Sequence, residues 1–90
     1  MAYRPVTVST TVTQIASYNE KRRALVIYNN SSSTLYISND PQDIVARGLP
    51  VGGGVAISLV ASEGDEPHLA LYGQMTAGTA DVRVVEGFGI

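Results

Sequence analysis

The single histidine, His68, is the one side chain here whose ordinary pKa suits proton transfer near neutrality. It lies in "GDEPHLA", just after the acidic pair Asp65 and Glu66. A hydrolytic triad needs a nucleophile, a base and an orienting acid. This stretch supplies a base and two acids on a loop, and reads as a solvated turn with a strand-edge histidine. Asp40 and Asp43 form a second acidic pair. Paired carboxylates can do acid–base work or bind calcium, but neither pair has calcium-loop spacing or a further acid close by in sequence. "VGGGV" at 51–55 has the glycine density of a phosphate loop. It lacks the Lys-Ser/Thr that completes such a loop, and no helix follows. Glycines before a strand more simply give the backbone freedom for a sharp turn or a bulge. Lys21, Arg22 and Arg23 gather three of the six basic residues beside Glu20, and the net charge is −2. That is a charged turn, where nucleic-acid binding calls for a broad basic face. Cysteine is absent, which excludes a disulfide and a thiolate metal site. The expectation is a protein with no catalytic residues, no cofactor, no metal and no nucleic-acid partner.

The elements around these residues are strands. Ninety residues make one domain. A chain of that length buries only about 60–65% of its unfolded surface, so its core is marginal and a partner chain is a natural extra stabiliser. "VTVSTTVTQIAS" (6–17) is rich in β-branched residues and reads as one edge or outer strand. "RALVIYN" (23–29), "TLYIS" (34–38), "VAISLVA" (55–61), "HLALYGQ" (68–74) and "DVRVVE" (81–86) follow, separated by turn-rich segments. The best candidate for a helical turn is "DPQDIVA" (40–46), with Asp40 as cap and Pro41 at the first helical position. The pattern predicts an all-β fold: a small antiparallel sandwich or barrel, jelly-roll-like, of about six to eight short strands. Residues 1–5 and 87–90 read as short arms, the latter carrying Phe88 between two glycines. No segment approaches the roughly 18 apolar residues of a membrane span. The opening residues have no signal-peptide core, so the expectation is synthesis in the cytoplasm and no membrane.

Side chains alternate faces along a strand. In "RRALVIYNNSSSTLYIS", Leu25 and Ile27 share one face, as do Leu35 and Ile37. Read as a hairpin, this stretch puts all four in the core and Val26, Tyr28 and Tyr36 on the other face. The same parity points Val55, Ile57, Leu59, Leu69, Leu71, Val82 and Val84 inward. Tyr72, Arg83 and Val85 then point outward. That second face is too apolar for a face left to water. Either the N-terminal strand or loops cover it, or it meets another subunit or a larger partner. Tyrosine and arginine are enriched at interfaces. The candidate interface residues are therefore Tyr28, Tyr36, Tyr72 and Phe88.

Several of these residues also form a pattern. Arg23, Ile27-x-Asn29-x-Ser31 and Tyr36-Ile37 are its first part; Gly48-x-Pro50 with the glycine before the next strand is its second; "LALYGQM" and "DVRVVE" are its third. Together, over roughly residues 20–86, they resemble small all-β virion proteins of tailed bacteriophages, the head-decoration (cement) and head- or tail-fibre type. The resemblance implies a structural protein of the virion with no active site. It would dock on the major capsid protein or another virion component, as a homo-oligomer with a trimer favoured, and strengthen the shell. A fibre or spike module reading host-surface glycans is the alternative, and a stand-alone cellular β-domain the third. The matching positions would hold the fold: Asn29 and Ser31 by bonding the loop backbone, Arg23 by pairing with a carboxylate such as Glu86.

Overall fold

A computed structural model describes residues 2–89. The described residues form eight strands. These are β1 (Ala2–Val8), β2 (Thr13–Ala16), β3 (Arg22–Asn30), β4 (Leu35–Ser38), β5 (Leu49–Val51), β6 (Ala56–Val60), β7 (Leu71–Met75) and β8 (Ala80–Phe88). One helical turn, α1 (Ile44–Arg47), lies between β4 and β5. The strands make two four-stranded antiparallel sheets: a front sheet ordered β1-β8-β3-β6 and a back sheet ordered β2-β7-β4-β5. The architecture is an open sandwich, not a closed barrel.

The pairing follows a simple rule. β1 pairs with β8, β2 with β7, β3 with β6 and β4 with β5. The chain is thus one long hairpin of eight strands, rolled so that β3 meets β8 and β4 meets β7. That is the jelly-roll arrangement of two Greek keys.

The core lies between the sheets. Leu25, Ile27, Val82 and Val84 point into it from the front, and Leu35, Ile37, Val51, Leu71 and Met75 from the back. The inward parity of Leu25, Ile27, Leu35 and Ile37 is as the sequence predicts. Their relationship is not. β3 and β4 belong to different sheets, so the Asn/Ser segment between them is an arch across the core rather than a hairpin turn. The four side chains meet face to face, and a period-two pattern is blind to that difference.

Other boundaries differ for local reasons. Residues 6–17 split into parts of β1 and β2, which lie in opposite sheets, because the chain crosses over at 9–12. The segments read as arms are strand: Ala2–Pro5 open β1, and Gly87 and Phe88 close β8; Met1 and Ile90 lie outside the described residues. Pro50 and the flanking glycines read as turn, yet Leu49–Val51 pair with Ile37, Tyr36 and Leu35 as an edge strand, where proline is tolerated. Helix α1 starts later than predicted, after Asp43 in the left-handed region; Asp40 instead accepts the Gln42 amide at 2.9 Å in a local turn. Val55 is 44% exposed and precedes β6, and Leu69 lies in the turn before β7.

Candidate interaction surfaces

Two polar clasps fix how the sheets are stacked, and so what each presents outward. One is built on Glu86 of β8. Its carboxylate accepts from Arg4 Nε of β1 at 2.8 Å and from Arg22 Nε of β3 at 3.1 Å. Arg4 also donates to the Ile15 carbonyl at 2.6 Å. Arg22, only 1% exposed, donates to the carbonyls of Ser17 and Pro67. Burial acts to raise the Glu86 pKa. The hydrogen bond and charge of Arg4, then those of Arg22, outweigh it and hold the carboxyl below its ordinary value. Glu86 is the carboxylate partner, but the arginine of β3 that pairs with it is Arg22, where the resemblance implied Arg23. A β-bulge between Arg22 and Ala24 shifts the register there.

The second clasp is Asn29, fully buried in β3. Its amide donates to the carbonyls of Ser33 at 2.7 Å and of Val51 in β5 at 2.9 Å, and its oxygen accepts from Ser31 Oγ at 2.7 Å. The sequence reading of Asn29 and Ser31 as loop-backbone partners matches these bonds. Among the described residues, no buried side-chain nitrogen or oxygen lacks a partner.

With the stacking fixed, the front sheet's outer face can be read from the register. Tyr3, Val85, Val26 and Ser58 form one row across the four strands, and Pro5, Arg83, Tyr28 and Ala56 the next. Tyr3 is 74% exposed and Tyr28 37%. This is an apolar and aromatic band with a polar border. Arg83 donates to Asp81 at 2.7 Å, which draws the Asp81 pKa down, and Asn30 donates to the same carboxylate at 3.2 Å. A depression of about 200 Å³ lies among Tyr3, Pro5, Arg83 and Val85, below the roughly 300 Å³ at which small-molecule pockets begin.

The back sheet's outer face differs in chemistry. Tyr36 faces Gln74 across β4 and β7, and Tyr72 faces Ser38 on one side and Gln14 on the other. No charged residue occupies these positions. Tyr28 is therefore on the opposite side of the molecule from Tyr36 and Tyr72, and the four candidate residues do not form one surface. Phe88 sits apart from both groups at the end of β8, opposite Arg22, and is 47% exposed. The correction has the same origin as the arch: a hairpin would have put Tyr28 and Tyr36 side by side.

The remaining candidates take local roles. His68 lies in a turn and meets Tyr18 edge-on, ring centroids 5.8 Å apart. Asp65 accepts the Val60 amide at 2.9 Å. Gly54 has φ 78 and donates to the Asn29 carbonyl at 2.8 Å, so the glycine run shapes the β5–β6 turn. Among the described residues no three His, Asp or Glu side chains converge to hold a metal ion, and no helix is long and apolar enough to cross a membrane. Compared with known protein families, with curated proteins and with solved structures, the chain matches none.

Proposed function

We propose that this chain is a structural protein of a virion, a decoration protein that docks on the major capsid protein through the outer face of its front sheet. The carrying observation is the outer-face band of the exposed Tyr3, Pro5 and Tyr28 with the half-buried Val26 and Val85, bordered by Arg83 and Asp81. Aromatic and aliphatic side chains beside an arginine are the composition of a protein-binding surface. The resemblance of residues 20–86 to small phage virion proteins names the partner class. Jelly rolls recur in viral capsid proteins, which is support by analogy of fold alone. The mechanism is repeated surface burial. Each contact is modest, and many copies on a symmetric shell make the sum large.

The test is sedimentation of the native protein from a lysate of its source. A decoration protein pellets with large particles at a fixed ratio to a capsid protein. Recovery in the small soluble fraction alone would overturn the proposal.

A second reading rests on the back sheet. Tyr36 and Tyr72, set among Gln14, Ser38 and Gln74, offer rings for stacking and uncharged groups for hydrogen bonding. That chemistry suits a neutral glycan, as in a fibre or spike module. A glycan array with the native chain and with Tyr36→Ala/Tyr72→Ala separates the readings: signal lost in the variant supports it, and no signal with the native chain removes it.

A further inference from the structure

Each sheet of an open sandwich has two edge strands, and the four here are not alike. An unprotected edge invites another strand, and proteins blunt edges with proline, charge, bulges or brevity. β1 carries Arg4 and Pro5. β2 has four residues and a register shift between Gln14 and Ala16. β5 has three residues with Pro50 at its centre. β6, with sequence AISLV, has five residues and no proline, charge or bulge.

The hydrogen-bond pattern shows which groups of β6 are open. Asn29 donates to the Val55 carbonyl at 3.0 Å. Bonded pairs alternate along an antiparallel ladder, so Ile57 and Leu59 bond to β3 while Ala56, Ser58 and Val60 turn their backbone groups outward. The outward groups of Val60 are already taken: its amide by the Asp65 carboxylate at 2.9 Å, its carbonyl by the Asp65 amide at 3.3 Å. At the other end the chain turns, with Val55 donating to the Gly52 carbonyl at 3.1 Å. What stays open is a window at Ala56 and Ser58.

The side chains along this edge are uncovered as well. Leu49 of β5 shares the inward parity of Ile37, yet it is 52% exposed. Ile57 and Leu59 face the core and are only partly buried. The opposite side of the sandwich, by contrast, is closed by the Arg4–Glu86–Arg22 clasp.

We propose that the β6 edge is a homodimer contact, in which β6 of a second copy pairs antiparallel to it about a two-fold axis at Ile57. The register is self-complementary. Ala56 falls opposite Ser58 of the second copy and exchanges both backbone bonds with it, and the reverse pair does the same. A two-fold contact sets like against like, so it is opposed by any charge near its axis. Residues 48–62 carry none, and the Asp65 carboxylate is set at Val60, at the end of the window. The two front sheets become one continuous sheet, and the exposed Leu49 and the partly buried Ile57 and Leu59 gain cover. Asp65 sets the length of the window and holds the pairing to this register. The inference concerns the chain's own assembly and does not rest on the virion reading.

Analytical ultracentrifugation of the purified chain up to about 100 μM, far above a micromolar dissociation constant, should show a dimer. Ser58→Pro removes an outward amide at an edge, where proline is tolerated. It should give a folded monomer by the same measurement with far-UV circular dichroism. Hydrogen exchange on the unmodified chain gives an independent reading: the Ala56 and Ser58 amides should become protected as concentration rises. A strictly monomeric native chain, or an oligomer in which these two amides exchange freely, would overturn the proposal. So would a folded Ser58→Pro variant that remains a dimer. Capture of an unrelated extended peptide by a monomeric chain would assign the window to another partner and overturn it equally.

Discussion

Glu86 holds two guanidinium groups whose other donors reach carbonyls of Ile15, Ser17 and Pro67, so one carboxylate ties three strands of the front sheet to the chain around β2 and β7. Replacing it with glutamine leaves Arg22 buried without its counter-charge, and breaking such a pair costs about 3–5 kcal/mol. We expect Glu86→Gln to lower unfolding stability at pH 7 by about 3 kcal/mol in a urea titration. The sign with pH follows from the lowered folded-state pKa. The contribution is fully present above the unfolded value of about 4.3 and is lost as pH falls through the lower folded value. Native stability should therefore drop on acidification through this window, and the variant's should drop less. Asn29 gives a second test. Asn29→Asp sets a carboxylate oxygen against the carbonyls of Ser33 and Val51, and should cost at least about 3 kcal/mol with an unchanged denaturant slope. At this scale the sequence was half legible. Asn29 and Ser31 read as backbone partners from their types, and Glu86 as a partner for arginine. The bulge that turns Arg22 inward has no period-two signature.

The strands show where sequence patterning works and where it stops. β3, β4, β6 and β8 were legible because their β-branched and aromatic runs alternate between two turn signals. β5 was hidden by Pro50 and its neighbouring glycines, the composition of a loop. The N-terminal segment read as one strand because threonine and serine fit an outer strand and the crossover at 9–12 alike. Sheet membership was not legible at all: an inward face looks the same whether the next strand lies beside it or across the core. The glycine run is a further element whose role needs the third dimension. A Cβ on Gly53 would lie 2.6 Å from the Ser31 carbonyl oxygen, which is backbone held inside the arch. We expect Gly53→Ala to destabilise by about 1–3 kcal/mol, read from the thermal midpoint. Asp65→Ala removes the carboxylate that holds the Val60 amide, leaves the Val60 carbonyl on the backbone amide of residue 65, and so opens one further donor on the β6 edge. Light scattering should then report larger species than the native chain forms.

For the molecule as a whole, the two outer faces separate the two functional readings. Tyr28→Ala on the front face should reduce particle binding in a co-sedimentation assay, while Tyr36→Ala/Tyr72→Ala on the back face should leave it unchanged. Tyr36 and Tyr72 are part-buried, so far-UV circular dichroism on each variant should first show the native fold, and loss of binding then does not reflect unfolding. Loss in the back-face variant alone would reverse the assignment of the faces.

The pairing of first strand with last also has a consequence in time. β8, the last of the eight described strands to leave the ribosome, lies between β1 and β3 in the front sheet. Until it emerges, β1 has no neighbour there and Arg4 and Arg22 have no carboxylate to share. The short-range pair β4·β5 can close early, and each wider pair must close a longer loop, which makes such topologies slow to fold. Nascent chains halted before residue 80 should therefore remain protease-sensitive over β1, and protection there should arise only after β8 is complete.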